Sequence, residues 1–163
     1  MPVVLYRIDD RLIHGQVVVG WGQPLNIRLL VLVDDTVAAS EWEQELYRMA
    51  VPPEMEILFD SVETAPQNHE LYANDPRRIM LVTGDIATMR KLVEKIPAIR
   101  KVNLGGMHHR AGREQRLRYV FLTPEEESLL RELDSAGVEV TAQDVPSARP
   151  HPLADILSGA AAS

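Results

Sequence analysis

Short runs rich in Val, Ile and Leu recur along the chain, separated by longer segments with helical spacing, and this pattern constrains the fold more than any other feature. The runs are Val3 to Ile8, Ile27 to Val33, Glu56 to Phe59, Arg78 to Val82, Lys101 to Leu104, Tyr119 to Leu122 and Val138 to Ala142. Their near-continuous apolar character suits strands buried on both faces, as parallel strands are. Helical spacing runs from Gly15 to Gly22, Ala38 to Ala50, Ser61 to His69, Ile86 to Ile96 and Pro124 to Ala136. Alternation of this kind predicts strand–helix–strand crossover units. The expected fold is therefore α/β, a single domain over residues 1–163 with a mainly parallel central sheet of about seven strands flanked by helices. The last helix has the clearest ends: Thr123 to cap it, Pro124 at its first position, Glu125 to Glu127 at the positive end of its dipole, and Gly137 to stop it. Its stripe of Leu129, Leu130 and Leu133 reads as a core face. Ser158 to Ser163 reads as a frayed tail.

Charge and composition narrow the function. With 24 acidic and 17 basic residues the formal net charge is −7, which argues against nucleic acid as a partner. The absence of cysteine removes disulfides, thiolate catalysis and cysteine zinc sites, and fits a reducing cytosol. The opening apolar run meets charge at Arg7, Asp9 and Asp10, too early for a signal-peptide core, and no apolar stretch approaches the roughly 20 residues of a membrane span. The expectation is a soluble cytoplasmic protein whose role at a membrane comes through partners.

Chemistry concentrates after the first strand, in Arg7-Ile-Asp-Asp-Arg11-Leu-Ile-His14-Gly-Gln-Val17. There the chain leaves a strand, turns through a charged loop and enters a helix. Open α/β sheets bind ligands at the carboxyl ends of their strands. A helix starting at Gly15 aims the backbone N–H groups of Gly15, Gln16 and Val17 at the loop, an anion site reinforced by the helix dipole. Arg11 adds a planar fork of donors suited to phosphate oxygens, and His14 a nitrogen able to attack phosphorus. A histidine after a strand also suits a plain loop or core position, and the residues alone leave both readings open.

The segment Arg7-x-Asp9-x-Arg11-Leu-Ile-His14-Gly-Gln-Val17 resembles the signature of the mannose/sorbose-family IIB subunit of the bacterial phosphoenolpyruvate-dependent sugar phosphotransferase system, including the histidine that this family phosphorylates. The likeness continues at Val33-Asp-Asp-Thr-Val-Ala38, at Asn103-Leu-Gly-Gly-Met107 and at Gly137 to Pro146, and so runs from Val3 to about Leu157. Where the family often has Asn-Asp, this chain has Asp34-Asp35. The resemblance implies a phosphohistidine–sugar phosphotransferase component: a IIA subunit donates a phosphoryl group to His14, and the membrane subunits IIC and IID present a sugar to receive it. It also implies a protein held at the inner face of the membrane by its permease partners. No cofactor and no metal are expected, since cations and backbone amides can do the work. Adjacent His108 and His109 should splay apart rather than converge on an ion.

Secondary positions keep two readings each. Asp9 and Asp10 should point to opposite sides; Asp9, in the family-like spacing, either fixes the imidazole or pairs with an arginine to shape the loop, or else forms a plain surface ion pair. Gly105 and Gly106 either bring backbone close to the site or form a tight turn. Asp34 and Asp35 read as turn and helix-capping residues. A regulatory phosphoprotein phosphorylated on His14 is the main rival function, because nothing in the chain separates signalling from transport. A nucleotide-binding enzyme lacks its Gly-rich loop here. The sugar is not legible, and self-association is left open.

Overall fold

A computed structural model of the chain describes residues 3–159. Strand and helix alternate through β1 (Val3–Ile8), α1 (Gly15–Gly22), β2 (Leu29–Val33), α2 (Asp35–Ala38), α3 (Glu41–Ala50), β3 (Glu56–Asp60), α4 (Ala65–Ala73), β4 (Ile79–Thr83), α5 (Ile86–Lys95) and β5 (Lys101–Leu104). A hairpin of β6 (Glu114–Leu117) and β7 (Val120–Leu122) follows, then α6 (Pro124–Ser135), β8 (Glu139–Ala142), β9 (His151–Pro152) and α7 (Leu153–Ser158). The main sheet has seven strands in the order β3-β2-β4-β1-β5-β8-β9. All its pairings are parallel except β8 with β9.

The expected number of strands is met, but not with the expected members. Tyr119 to Leu122 does not join the main sheet: β7 pairs antiparallel with β6 in a separate two-stranded sheet. A neighbour only two residues back along the chain provides its ladder at little loop-closure cost. In β6 only Leu117 is buried, so no apolar run announces it. The seventh strand of the main sheet is β9, two residues long and equally silent in the sequence. The helix expected from Ala38 to Ala50 begins at Glu41, as α3, and Ala38 instead ends the separate short helix α2. Asp34 caps α2 by accepting from Val37 N–H at 2.9 Å, and Ser40, in extended conformation, caps α3 by accepting from Glu43 N–H at 3.2 Å. The helix expected from Ser61 starts at Ala65, after a turn in which Ser61 and Thr64 bond to each other. In α6 the capping box of Thr123 and Glu126 forms as expected. Gly159, at φ 67°, closes α7; the rest of the expected tail, residues 160–163, lies outside the described residues.

Side-chain alternation sorts the helices onto two faces. Leu30, Leu32, Met80 and Val82 pack with Val17, Val18 and Trp21 of α1 and Val37 of α2. Leu29, Val31, Ile79 and Leu81 pack with α4, α5, α6 and α7 through Tyr72, Met89, Leu130, Leu133 and Ile156. The connection leaving β1 runs across one face towards β2, and the connection leaving β4 runs across the other face towards β5. The connection leaving β5 departs over that other face towards β8, so the neighbours β1 and β5 send their connections in opposite directions, and their carboxyl ends form a switch point where open α/β sheets present a crevice. No helix among the described residues is long and apolar enough to cross a membrane.

Leu133 has no exposed surface, whereas Leu129 is only partly buried against the same core. Leu133→Ala should therefore lower stability by about 2–5 kcal/mol in urea denaturation, and Leu129→Ala by clearly less; equal losses would show that α6 turns a different face to the sheet.

Candidate functional site

The end of β1 is stitched on both sides, with Asp9 N–H donating to Thr83 O at 2.9 Å and Gly105 N–H donating to Ile8 O at 2.7 Å. On this base the side chains of Arg7 and Asp9 have no exposed surface at all. Arg7 Nη2 donates to Asp9 Oδ2 at 3.1 Å, and its Nη1 donates to Asn103 Oδ1 and, at 2.9 Å, to Gln143 O. The guanidinium also lies over the Trp21 ring, 4.4 Å from its centroid, while Trp21 Nε1–H donates to Asp144 O at 3.1 Å. Arg11 closes the other side of Asp9: its backbone N–H and Nε reach Oδ1 at 3.1 and 2.9 Å, and Nη2 reaches Oδ2 at 2.8 Å.

The charges act on one another as this geometry requires. Burial alone would raise the Asp9 carboxyl, but the hydrogen bonds from Arg11 and the charges of both arginines outweigh it and hold Asp9 below the usual carboxylate range. Burial pulls the Arg7 guanidinium down from its ordinary value against the pull of Asp9, and the hydrogen bonds to Asp9 push Arg11 up.

Gly105 and Gly106 owe their identity to this network. A Cβ at Gly105 would lie 2.3 Å from Arg7 Nη2 and 2.6 Å from Asp9 Oδ2; one at Gly106 would lie 3.3 Å from both Arg11 Nε and Asp9 Oδ1. The atoms that the glycine pair approaches belong to the arginine–aspartate cluster.

Past Asp9 the loop tightens. Leu12 N–H bonds Asp9 O at 3.0 Å, and Leu12 adopts φ 54°, a left-handed conformation costing roughly 1–2 kcal/mol for such a residue. Ile13 is buried and His14 is exposed. Val18 N–H to His14 O, 2.9 Å, is an i to i−4 bond of α1, so the amides of Gly15, Gln16 and Val17 precede it at the helix start. Nothing stands within 4 Å of where a Gly15 Cβ would lie.

Asp10 turns away from Asp9, as alternation predicts. It accepts the His108 backbone N–H at 2.7 Å and meets His108 Nδ1 at 2.6 Å. His109 departs in another direction, edge-on to Phe121 with centroids 5.6 Å apart. His69 is buried in contact with the Tyr6 hydroxyl at 2.7 Å; burial lowers His69 and pushes Tyr6 up to about 12. The structure thus brings together Arg7, Asp9, Arg11, Gly105 and Gly106, and sets His14 with Gly15 to Val17 at the outer end of the same loop. Asp9 engages both arginines. The Nε–Nη2 edge of Arg11, expected to face a ligand, is turned onto Asp9. Sequence reasoning missed Trp21, Asn103, Gln143 and the Asp10–His108 pair; Asn103 alone carried a signal, standing beside the glycine pair.

The sequence model described as the PTS system sorbose subfamily IIB component matches residues 3–163. The sorbose-specific EIIB component of Klebsiella pneumoniae is 36% identical over 150 residues, covering 90% of each chain. The mannose-specific EIIAB component of Escherichia coli K12 is 31% identical, covering 97% of this chain and 49% of the relative. The crystal structure of the IIBSor domain of the sorbose permease from Klebsiella pneumoniae superposes with a TM-score of 0.88 at 30% identity, covering 98% of both. Fold and sequence together therefore define a sugar-specific component of the phosphotransferase system. The chain belongs to the sorbose subfamily of its IIB components, which are phosphotransferases.

Asp9→Asn leaves Arg7 buried beside a neutral amide and should cost about 3–5 kcal/mol in urea denaturation at pH 7. Because the folded state holds the Asp9 carboxyl below its ordinary value of ~3.9, its stabilisation is present above that pH and is lost as pH falls through the folded-state value. Acid unfolding followed by circular dichroism should consequently be shallower in Asp9→Asn below about pH 4; parallel acid profiles would show that Asp9 is not stabilised as a carboxylate.

Proposed function

We propose that the chain is a phosphoryl carrier: His14 takes a phosphoryl group from the phosphohistidine of a IIA partner and passes it to a sugar presented by membrane partners IIC and IID. The observation that carries this reading is an exposed histidine immediately before a helix start, at the carboxyl end of a central strand, on a loop anchored by a buried Arg7–Asp9 pair. Exposure suits transfer between proteins, since donor and acceptor rings must meet across an interface. The relative named EIIAB supports the donor, because this chain matches about half of a protein whose name joins the two functions. Selection of the sugar belongs in this scheme to the membrane partners, and localisation at the inner face of the membrane follows from binding them.

Transfer of a phosphoryl group needs an in-line approach and stabilisation of charge on the equatorial oxygens, with little other covalent machinery. His14 supplies the nucleophile. The amides of Gly15, Gln16 and Val17 and the dipole of α1 face an anion there. Arg11 supplies positive charge, and its double contact with Asp9 sets the plane of the guanidinium.

Incubation with labelled phosphoenolpyruvate, the general phosphotransferase proteins and a IIA subunit should give an acid-labile, base-stable label on the peptide holding His14, and none on His14→Gln. Arg11→Lys keeps the charge but loses the planar chelate with Asp9, so the initial transfer rate should fall by about 10²–10³. Label on another residue would remove the proposal, and parental rates in a folded Arg11→Lys would remove Arg11 from it.

A further inference from the structure

We propose that His108 is a further ligand of the transferred phosphoryl group, its ring fixed by Asp10 so that Nε2 is offered to the group on His14; this rests on the carrier reading above. Asp10 is nearly buried, with 8% of its side chain exposed, and grips His108 at two points, the backbone N–H and Nδ1. Arg113 completes the mount: Nη1 donates to His108 O, and Nε and Nη2 hold both oxygens of Glu126 on α6 at 2.9 and 2.8 Å. A surface histidine without a task has no need of such fixing, because exposed polar contacts contribute little stability.

Chemistry then sets the ring's orientation. A carboxylate only accepts, so Nδ1 carries the hydrogen in the contact with Asp10, and Nε2 lies on the opposite edge of a side chain that is 63% exposed. The ring also stands beside the first cation of the site. His108 Cε1, the atom between the two nitrogens, and Arg11 Nε lie 3.5 and 3.3 Å from the same point above Gly106.

Charge gives the ring its role. Arg7 and Arg11 share Asp9, and Arg113 is shared between Asp10 and Glu126, so three arginines face three carboxylates and the mount is formally neutral. A phosphoryl group arriving at this loop meets well-aimed donors but no surplus cation among these groups. A hydrogen on both ring nitrogens would let His108 add one positive charge and an Nε2–H donor on the solvent side. In the transfer itself the P–N bond of the donor's phosphohistidine breaks as one forms to a ring nitrogen of His14. His108 forms no covalent bond and gives up no proton; it holds a phosphoryl oxygen.

The test uses the labelled transfer from phosphorylated IIA on the whole chain, with His108→Ala, Asp10→Asn and, as a neighbouring control, His109→Ala. The label should remain on His14 in all of them. The initial rate should fall about 10-fold or more in His108→Ala and in Asp10→Asn, stay parental in His109→Ala, and recover in His108→Ala when free imidazole is added. A structural defect would not respond to imidazole, so a slow His108→Ala without rescue overturns the proposal, as does a parental rate in that variant. Label absent from His14 in the parental protein would instead overturn the carrier reading, and label on His108 would overturn both.

Discussion

Arg7 and Asp9 bring opposite charges to the end of a central strand, where neither side chain keeps any exposed surface. Removing such ions from water costs several kcal/mol each, and their attraction offsets this only when the remaining donors and acceptors are also satisfied. The groups that satisfy most of these atoms come from far along the chain, namely Asn103 at the end of β5, the carbonyls of Gln143 and Asp144 after β8, and the face of Trp21 on α1, while Arg7 Nε stays without a hydrogen bond. A pair that is expensive to bury thus ties four segments into one rigid edge. The same requirement excludes any side chain at Gly105, where the guanidinium occupies the space a Cβ would need.

The candidate site stands on that edge. Asp9 faces inward and holds Arg11; Asp10, its neighbour, faces outward and holds His108. Two consecutive carboxylates therefore serve opposite sides of one loop, as backbone alternation dictates. The left-handed turn at Leu12 then redirects the chain so that Ile13 enters the core, His14 emerges into solvent and α1 starts at the next residue. An exposed histidine on such a base suits the proposed carrier role, in which partners must reach the ring yet find it in one place.

The sheet explains why the site lies here. Helices α1 and α2 cover one face of its core strands and α4 to α7 the other, and a change of direction falls between β1 and β5. There the connections diverge, that of β1 towards β2 and that of β5 towards β8, so the loop after β1 is a natural place for a ligand. The relatives of this chain share the frame, from the sorbose-specific component to the permease domain of known structure.

Much of this was legible in the residues themselves. The limits of β1, β5 and α1 follow from apolar runs and their flanking charges, and the ends of α6 from Thr123, Pro124 and Gly137. The loop from Arg7 to Val17 announced its helix start at Gly15, because the flanking residues act through local backbone geometry. What stayed hidden was either polar or distant. The hairpin strand β6 and the short β9 carry no apolar pattern, and the break before α3 depends on a cap at Ser40 that outweighs continuous helical spacing. Asp10 meets His108 across 98 positions, and Arg7 meets Asn103 across 96. Those distances collapse only because parallel pairing of β1 with β5 sets Arg7 opposite Asn103 and Ile8 opposite Leu104. Local pattern determined which groups this protein owns; the register between strands far apart in sequence decided which of them meet.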